Sequence, residues 1–171
     1  MNALTETHMQ IFDGAGQTIA EMRAKTRKMM NQFPYKKPIL FIDYLTLIQS
    51  GQSYGGNSHL QVTEISKSLK AMAKEFDCPV ICLAQLNRSV ESRAIKRPMM
   101  SDIRESGSVE QDADVILFLY RESYYDKDMD NHSLEIIVSK NRNGPVGSIA
   151  VNYNKHTGRI EDQKESSPTL V

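Results

Sequence analysis

Three short runs of the chain are apolar without a break: Ile39-Leu40-Phe41-Ile42, Pro79-Val80-Ile81-Cys82-Leu83-Ala84, and Val115 to Tyr120. Each stops at a polar residue, Asp43, Gln85 and Arg121 in turn. A strand wetted on one side alternates apolar and polar residues. A run without alternation is expected of a strand covered on both faces, as in a parallel sheet between helices. Between the first two runs, Val62, Ile65, Leu69, Met72, Ala73 and Phe76 recur at spacings of three and four, with Lys67, Lys70 and Lys74 off that stripe. This predicts an amphipathic helix. Ahead of the first run, Ile19, Met22, Thr26, Met29, Met30 and Phe33 mark another helix. Thr18 and Glu21 open it as a capping box, and Pro34 and Pro38 bracket its end. Strand, helix, strand, helix, strand then gives a right-handed α/β arrangement with a mostly parallel sheet. Ligands of such sheets sit beyond the carboxyl ends of the strands, where Asp43, Gln85 and Arg121 are expected.

The texture changes past Glu122. Ser133 to Ser139 and Ser148 to Tyr153 alternate, and Asn141-Arg142-Asn143-Gly144-Pro145 between them is a hairpin signal. Antiparallel strands are therefore expected on the C-terminal side of the sheet. A domain over residues 1–162 and a polar tail over 163–171 complete the expected organisation. At 171 residues, 40% hydrophobic and 25% charged, the chain suits one domain with a real core rather than a disordered or fibrous class. Its formal net charge is +0, so contact with nucleic acid must come from local cations on a loop or channel wall. No apolar run approaches the roughly 20 residues of a membrane span, and no signal pattern opens the chain. A cytoplasmic location is expected, with Cys78 and Cys82 as reduced core residues.

Four places carry chemistry. A carboxylate that ends an apolar strand, as Asp43 does, supplies a hard oxygen suited to Mg²⁺, and the same placement suits a cap or turn. Gly51 to Ser58 has the spacing of a phosphate-gripping glycine loop, with Asn57 where the lysine should stand. It reads as a surface loop leading into a helix capped by Ser58 and Gln61. Arg104-Glu105-Ser106-Gly107 forms a Ser/Gly helix entry that offers a guanidinium and backbone N–H groups to a phosphate, or merely a solvated Arg. An acidic turn is expected after it, from Glu110 to Asp114. Lys140 and Arg142 fall on one side of the hairpin by alternation; they read either as an ordinary charged tip or as a pair reaching a triphosphate across a subunit boundary.

These segments, in this order, resemble the carboxyl-terminal ATPase domain of the DnaB family of replicative DNA helicases, which are RecA-like hexameric motors. The matching text is Ile42-Asp43-Tyr44-Leu45, Glu64 to Glu75, Leu83 to Arg88, Lys96-Arg97-Pro98, Ser101 to Gly107, Glu110 to Asp114 and Lys140 to Pro145. The resemblance covers about residues 11–162 and implies a RecA-like P-loop ATPase fold, truncated at its N-terminal side. It implies that Asp43 is the Walker B carboxylate for Mg²⁺, generally held through water. Gln85 would sense the γ-phosphate of ATP and couple it to the DNA loops. Arg104, Glu105, Ser106 and Gly107 would grip the backbone of single-stranded DNA. Arg142 would be the arginine finger entering a neighbour's ATP site, with Lys140 beside it. It also implies a homo-hexamer, with a helicase loader and a primase as further partners of a full-length protein, and no membrane. The family places its phosphate loop and catalytic glutamate upstream of the residues that Met1 begins, so this chain alone is expected not to hydrolyse ATP. Two other readings share the fold: a RecA-type ATPase of recombination or clock timing, and a non-catalytic relic serving as an interaction module.

Overall fold

A computed structural model describes residues 7–14, 16–103, 106–126 and 132–163. The chain packs as two compact units, Met1–Leu83 and Ala84–Val171. The last eight residues of the expected tail, 164–171, lie outside the described residues.

The first unit holds α1 (Ile19–Gln32), β1 (Leu40–Ile42), α2 (Ser58–Glu75) and β2 (Val80–Cys82). The capping box forms as expected: Thr18 N–H donates to the Glu21 carboxylate at 2.7 Å, and Glu21 N–H donates back to the Thr18 hydroxyl at 3.3 Å. The stripe on α2 is buried at Val62, Ile65, Leu69 and Met72, and Phe76 follows it inward at the helix end. Leu45, Ile48 and Cys78 are buried in this unit as well. Arg23 and Arg27 of α1 both pair with Glu75 at the end of α2, at 3.1 Å and 2.5 Å. The cap of α2 differs from expectation. Asn57, one residue before Ser58, accepts the Leu60 N–H at 3.2 Å, and the Gln61 side chain donates to the Ile48 carbonyl instead. An Asn side chain caps as well as Ser, so Ser58 becomes the first residue of the helix rather than its cap.

β1 and β2 run parallel, with Leu40, Phe41 and Ile42 opposite Val80, Ile81 and Cys82. Here the double coverage expected of the apolar runs is not met. Phe41 is 74% exposed, and Ile39, Ile81 and Leu83 are also open to solvent. Only one side of the pair faces the α2 layer among the described residues.

The second unit is built on β3 (Val115–Tyr120), β4 (Ser133–Asn141), β5 (Gly147–Asn154) and β6 (Arg159–Asp162), an antiparallel sheet in that order. The hairpin between β4 and β5 forms where Asn141 to Pro145 predict it. Among the described residues, β3 pairs with β4 and not with the parallel strands, which corrects its expected place as a third parallel strand. Ile116, Phe118 and Ile137 point inward against Ile103, with Leu86, Met100, Val109 and Ala113 packed around them. The other side of β3 is bare: Val115, Leu117 and Leu119 are exposed, Leu119 by 66%. Its lack of alternation therefore reflects two apolar faces, one of which is left open among the described residues of this unit. A short helix, α3 (Ser106–Asp112), precedes β3 and takes in much of the stretch expected as an acidic turn.

Candidate functional site

At the exit of β1 the backbone is tied on both sides of Asp43. Leu83 N–H donates to the Ile42 carbonyl at 2.9 Å, and Leu45 N–H donates to the Leu83 carbonyl at 2.8 Å. Asp43 is thereby fixed at the carboxyl edge of the parallel pair, with its side chain exposed. Among the described residues, no hydrogen bond or ion pair engages its carboxylate. A hard, solvent-facing oxygen at a rigid strand end fits the demands of Mg²⁺, although no three His, Cys, Asp or Glu side chains converge on one point among the described residues.

The glycine-rich loop after β1 is not a phosphate cradle. Gly55 and Gly56 take φ of 58° and 84° with open space around them, and Asn57, in the lysine's place, is spent as the helix cap. Glu64 of α2 anchors the loop base by accepting from the Ser50 hydroxyl. Burial, together with that carboxylate, pushes the Tyr54 phenol above its ordinary value.

In the second unit, Gln85 is exposed and sits just ahead of a fixed point. Leu86 bridges Ile103 in antiparallel fashion, and Asn87 N–H donates to the Asp102 carbonyl at 2.7 Å. Asp102 itself is only 4% exposed. Its Oδ2 accepts from Arg93 Nη2 at 2.7 Å and from the Met99 N–H at 2.8 Å, and Arg93 also donates to the Arg97 carbonyl at 3.1 Å. Arg97 in turn forks onto Glu135 of β4, at 3.0 Å and 2.5 Å. The guanidinium holds that carboxyl below the usual carboxylate range. This clamp was not legible beforehand, because Arg93 and Asp102 share no periodic position. Their ion pair closes an irregular turn.

Of the expected DNA-contacting residues, Arg104, Glu105 and the side chain of Ser106 lie outside the described residues. Ser106 and Gly107 open α3, with Gly107 exposed. Lys140 and Arg142 are brought together at the other end of that helix. Lys140 Nζ donates to the Glu110 carbonyl at 2.5 Å and to the Gln111 carbonyl at 3.3 Å; Arg142 Nη2 donates to the same Gln111 carbonyl at 3.1 Å. Arg142 Nε lies 3.4 Å from Asp114 Oδ1, and the Arg142 side chain stays half exposed. Arg121 lies over the rings of Tyr124 and Tyr153, with centroid distances of 5.7 Å and 5.1 Å. Asp43 belongs to the first unit, and Gln85, Lys140 and Arg142 belong to the second.

Residues 1–162 match the family described as the DnaB-like helicase C terminal domain. The chain is 47% identical over 161 residues to the replicative DNA helicase DnaC of Bacillus subtilis, covering 94% of this chain and 35% of that protein. It is 48% identical over 161 residues to the replicative DNA helicase DnaB of Geobacillus stearothermophilus, with the same coverage. Among solved structures, one of a DnaB-like replicative helicase, described with its interactions with primase, superposes with a TM-score of 0.89 at 42% identity. It covers 94% of this chain and 39% of that one. A second solved structure, of an ATPase domain, gives the same score and identity over 57% of its length. The chain thus spans about a third of the length of these curated relatives.

Proposed function

Because the chain belongs to the family of DnaB-like helicase C-terminal domains, we propose that it is the distal part of a ring-shaped motor that couples ATP hydrolysis to movement along single-stranded DNA and to strand separation. The observation that carries this reading is the pairing of Lys140 and Arg142 at an exposed hairpin base, in a chain whose β1 ends in an open carboxylate. Phosphoryl transfer needs a metal-binding carboxylate and cations aimed at the transferred group, and the protein's part in it is chiefly placement and charge.

In this reading Asp43 would hold Mg²⁺, which would supply positive charge to the triphosphate of ATP. Gln85, one residue from the Leu86–Ile103 bridge, senses the γ-phosphate. Arg142 stabilises the charge that grows in the transition state of a neighbouring subunit, with Lys140 beside it, so the ring is a homo-hexamer built through its ATP sites. Residues 104–107 contact the DNA backbone, a sequence-blind mode suited to a translocase. A loader and a primase are further partners of the complete assembly. The glycine loop after β1 has Asn57 where a phosphate-gripping lysine would stand, so this chain alone is expected not to turn over ATP.

The test is Arg142→Ala in a full-length helicase in which this chain replaces the matched segment of the Bacillus subtilis relative. A group acting in trans on the transition state predicts that turnover falls by at least about a hundredfold while nucleotide affinity stays within a few fold. Loss of nucleotide binding in step with turnover would make Arg142 a ground-state ligand and end the reading. So would metal-dependent ATP hydrolysis by the purified 171-residue chain.

A further inference from the structure

The geometry around the β4 hairpin points to a residue not counted among the site residues above: we propose that Asp114, acting with the last carbonyls of α3, is a positioning residue for Arg142. The inference rests on the reading that Arg142 acts across a subunit boundary.

It starts from the register of β3 and β4. Phe118 faces Ile137 and Leu117 faces Val138, so a regular ladder would set Ile116 opposite Ser139. Ile116 is instead opposite Lys140, because one extra residue is accommodated in β4. A bulge of this kind re-aims a side chain. Cross-strand partners share a face, so Lys140 is turned to the side where Ile116 is buried, the side on which Val109 and Ala113 of the α3 region pack. The last four carbonyls of a helix lack partners within it and carry the negative end of its dipole. Lys140 and Arg142 supply the donors that those of Glu110 and Gln111 need.

Arg142 gains a second anchor from Asp114, at the Val115 start of β3. Its own N–H donates to the Asp114 carbonyl at 2.8 Å, and its Nε faces the Asp114 carboxylate. Nε and Nη2 therefore point at its own chain. Among the described residues no hydrogen bond or ion pair engages Nη1, which leaves that part of the planar fork for an outside anion. A guanidinium held along one edge presents the other in a single orientation. That is the condition for an effective contact with a group whose charge develops only in the transition state. An arginine swinging freely on its flexible stem would have to be ordered in each cycle.

The experiment compares Asp114→Ala, Asp114→Glu and Arg142→Ala, singly and combined, in the full-length replacement helicase. Expected for Asp114→Ala is a roughly three- to tenfold lower kcat for ATP with KM within about twofold, largely restored by Asp114→Glu. Adding Asp114→Ala to Arg142→Ala should lower turnover no further, since both act through one guanidinium. An Asp114→Ala protein with undiminished kcat beside an inactive Arg142→Ala protein overturns the positioning role and leaves the trans reading standing. An active Arg142→Ala protein overturns the trans reading itself. The 171-residue chain provides a readout free of turnover: exchange of the Arg142 Nε–H with water, followed by NMR, should quicken several fold in Asp114→Ala. The backbone bond to the Asp114 carbonyl survives the substitution, so an otherwise unchanged amide spectrum certifies the fold, and unchanged Nε–H exchange would refute the proposal.

Discussion

Replacing Asp102 by Ala removes a charged group buried in the second unit, outside its apolar core. The carboxylate is nearly buried and accepts two hydrogen bonds, one from a backbone N–H and one from a guanidinium. Removing one member of a buried ion pair costs about 3–5 kcal/mol when the survivor stays buried. Arg93 keeps 29% of its side chain exposed and can rehydrate in part, which puts the loss toward the lower end of that range. The Met99 N–H is stranded as well, at about 1–3 kcal/mol for an orphaned donor, although relaxation of the turn makes the two terms overlap. The expected total is about 3 kcal/mol for Asp102→Ala and about half of that for Asp102→Asn, which keeps an acceptor. For a chain of this size the Ala variant should melt roughly 6–12 °C lower. Urea unfolding followed by far-UV circular dichroism measures the loss. Hydrogen exchange locates it: amides of β3 and β4 should lose protection while those of α2 keep theirs. A loss under about 1 kcal/mol would mean that the clamp is solvated in practice and that the argument from burial fails.

Two further outcomes follow from shifted titrations. Glu135 has its folded-state carboxyl lowered, first by the Arg97 hydrogen bond, so the stability it adds is present above the ordinary value of 4.5 and fades as pH falls through the lowered one. The melting-temperature gap between wild type and Glu135→Gln should accordingly be constant from about pH 7 to 5 and shrink below about 4.5; a gap that does not change down to about pH 3 rules out the linkage. Burial pushes the Cys82 thiol up to about 12. At about pH 8 it should carry roughly a thousandfold less thiolate than an ordinary cysteine and react correspondingly slowly with a disulfide reagent until the chain is unfolded; fast labelling of the native protein would contradict this.

Much of the fold was legible because local physics set it. The Thr18–Glu21 box, the α2 stripe and the Asn141–Pro145 turn need only neighbouring residues, and each formed where its pattern lay. The partners of β3 were not legible, since an unbroken apolar run reports that both faces are apolar but not which strand lies beside it. β6 escaped notice because Arg159–Asp162 is too short and polar for alternation to register. At the site, Asp43 was readable as the polar stop of β1, whereas Gln85, expected to end the next strand, stands beyond Cys82, where β2 ends. The capture of Lys140 and Arg142 by α3 was not readable, because a backbone carbonyl has no letter in the sequence and a one-residue bulge reverses what simple alternation predicts for Lys140.

The uncovered flanks of the two sheets bear on how the protein behaves in a tube. Leu117, Leu119 and Ile149 crowd one side of the antiparallel sheet, and Phe41, Ile81 and Leu83 one side of the parallel pair, all open to solvent. Hydrocarbon displayed in patches takes up environment-sensitive dyes and draws copies together, more strongly with warming and with sulfate. Preparations of the 171-residue polypeptide should therefore bind such dyes in the native state and associate as protein concentration rises, and mild detergent or low protein concentration should keep them dispersed.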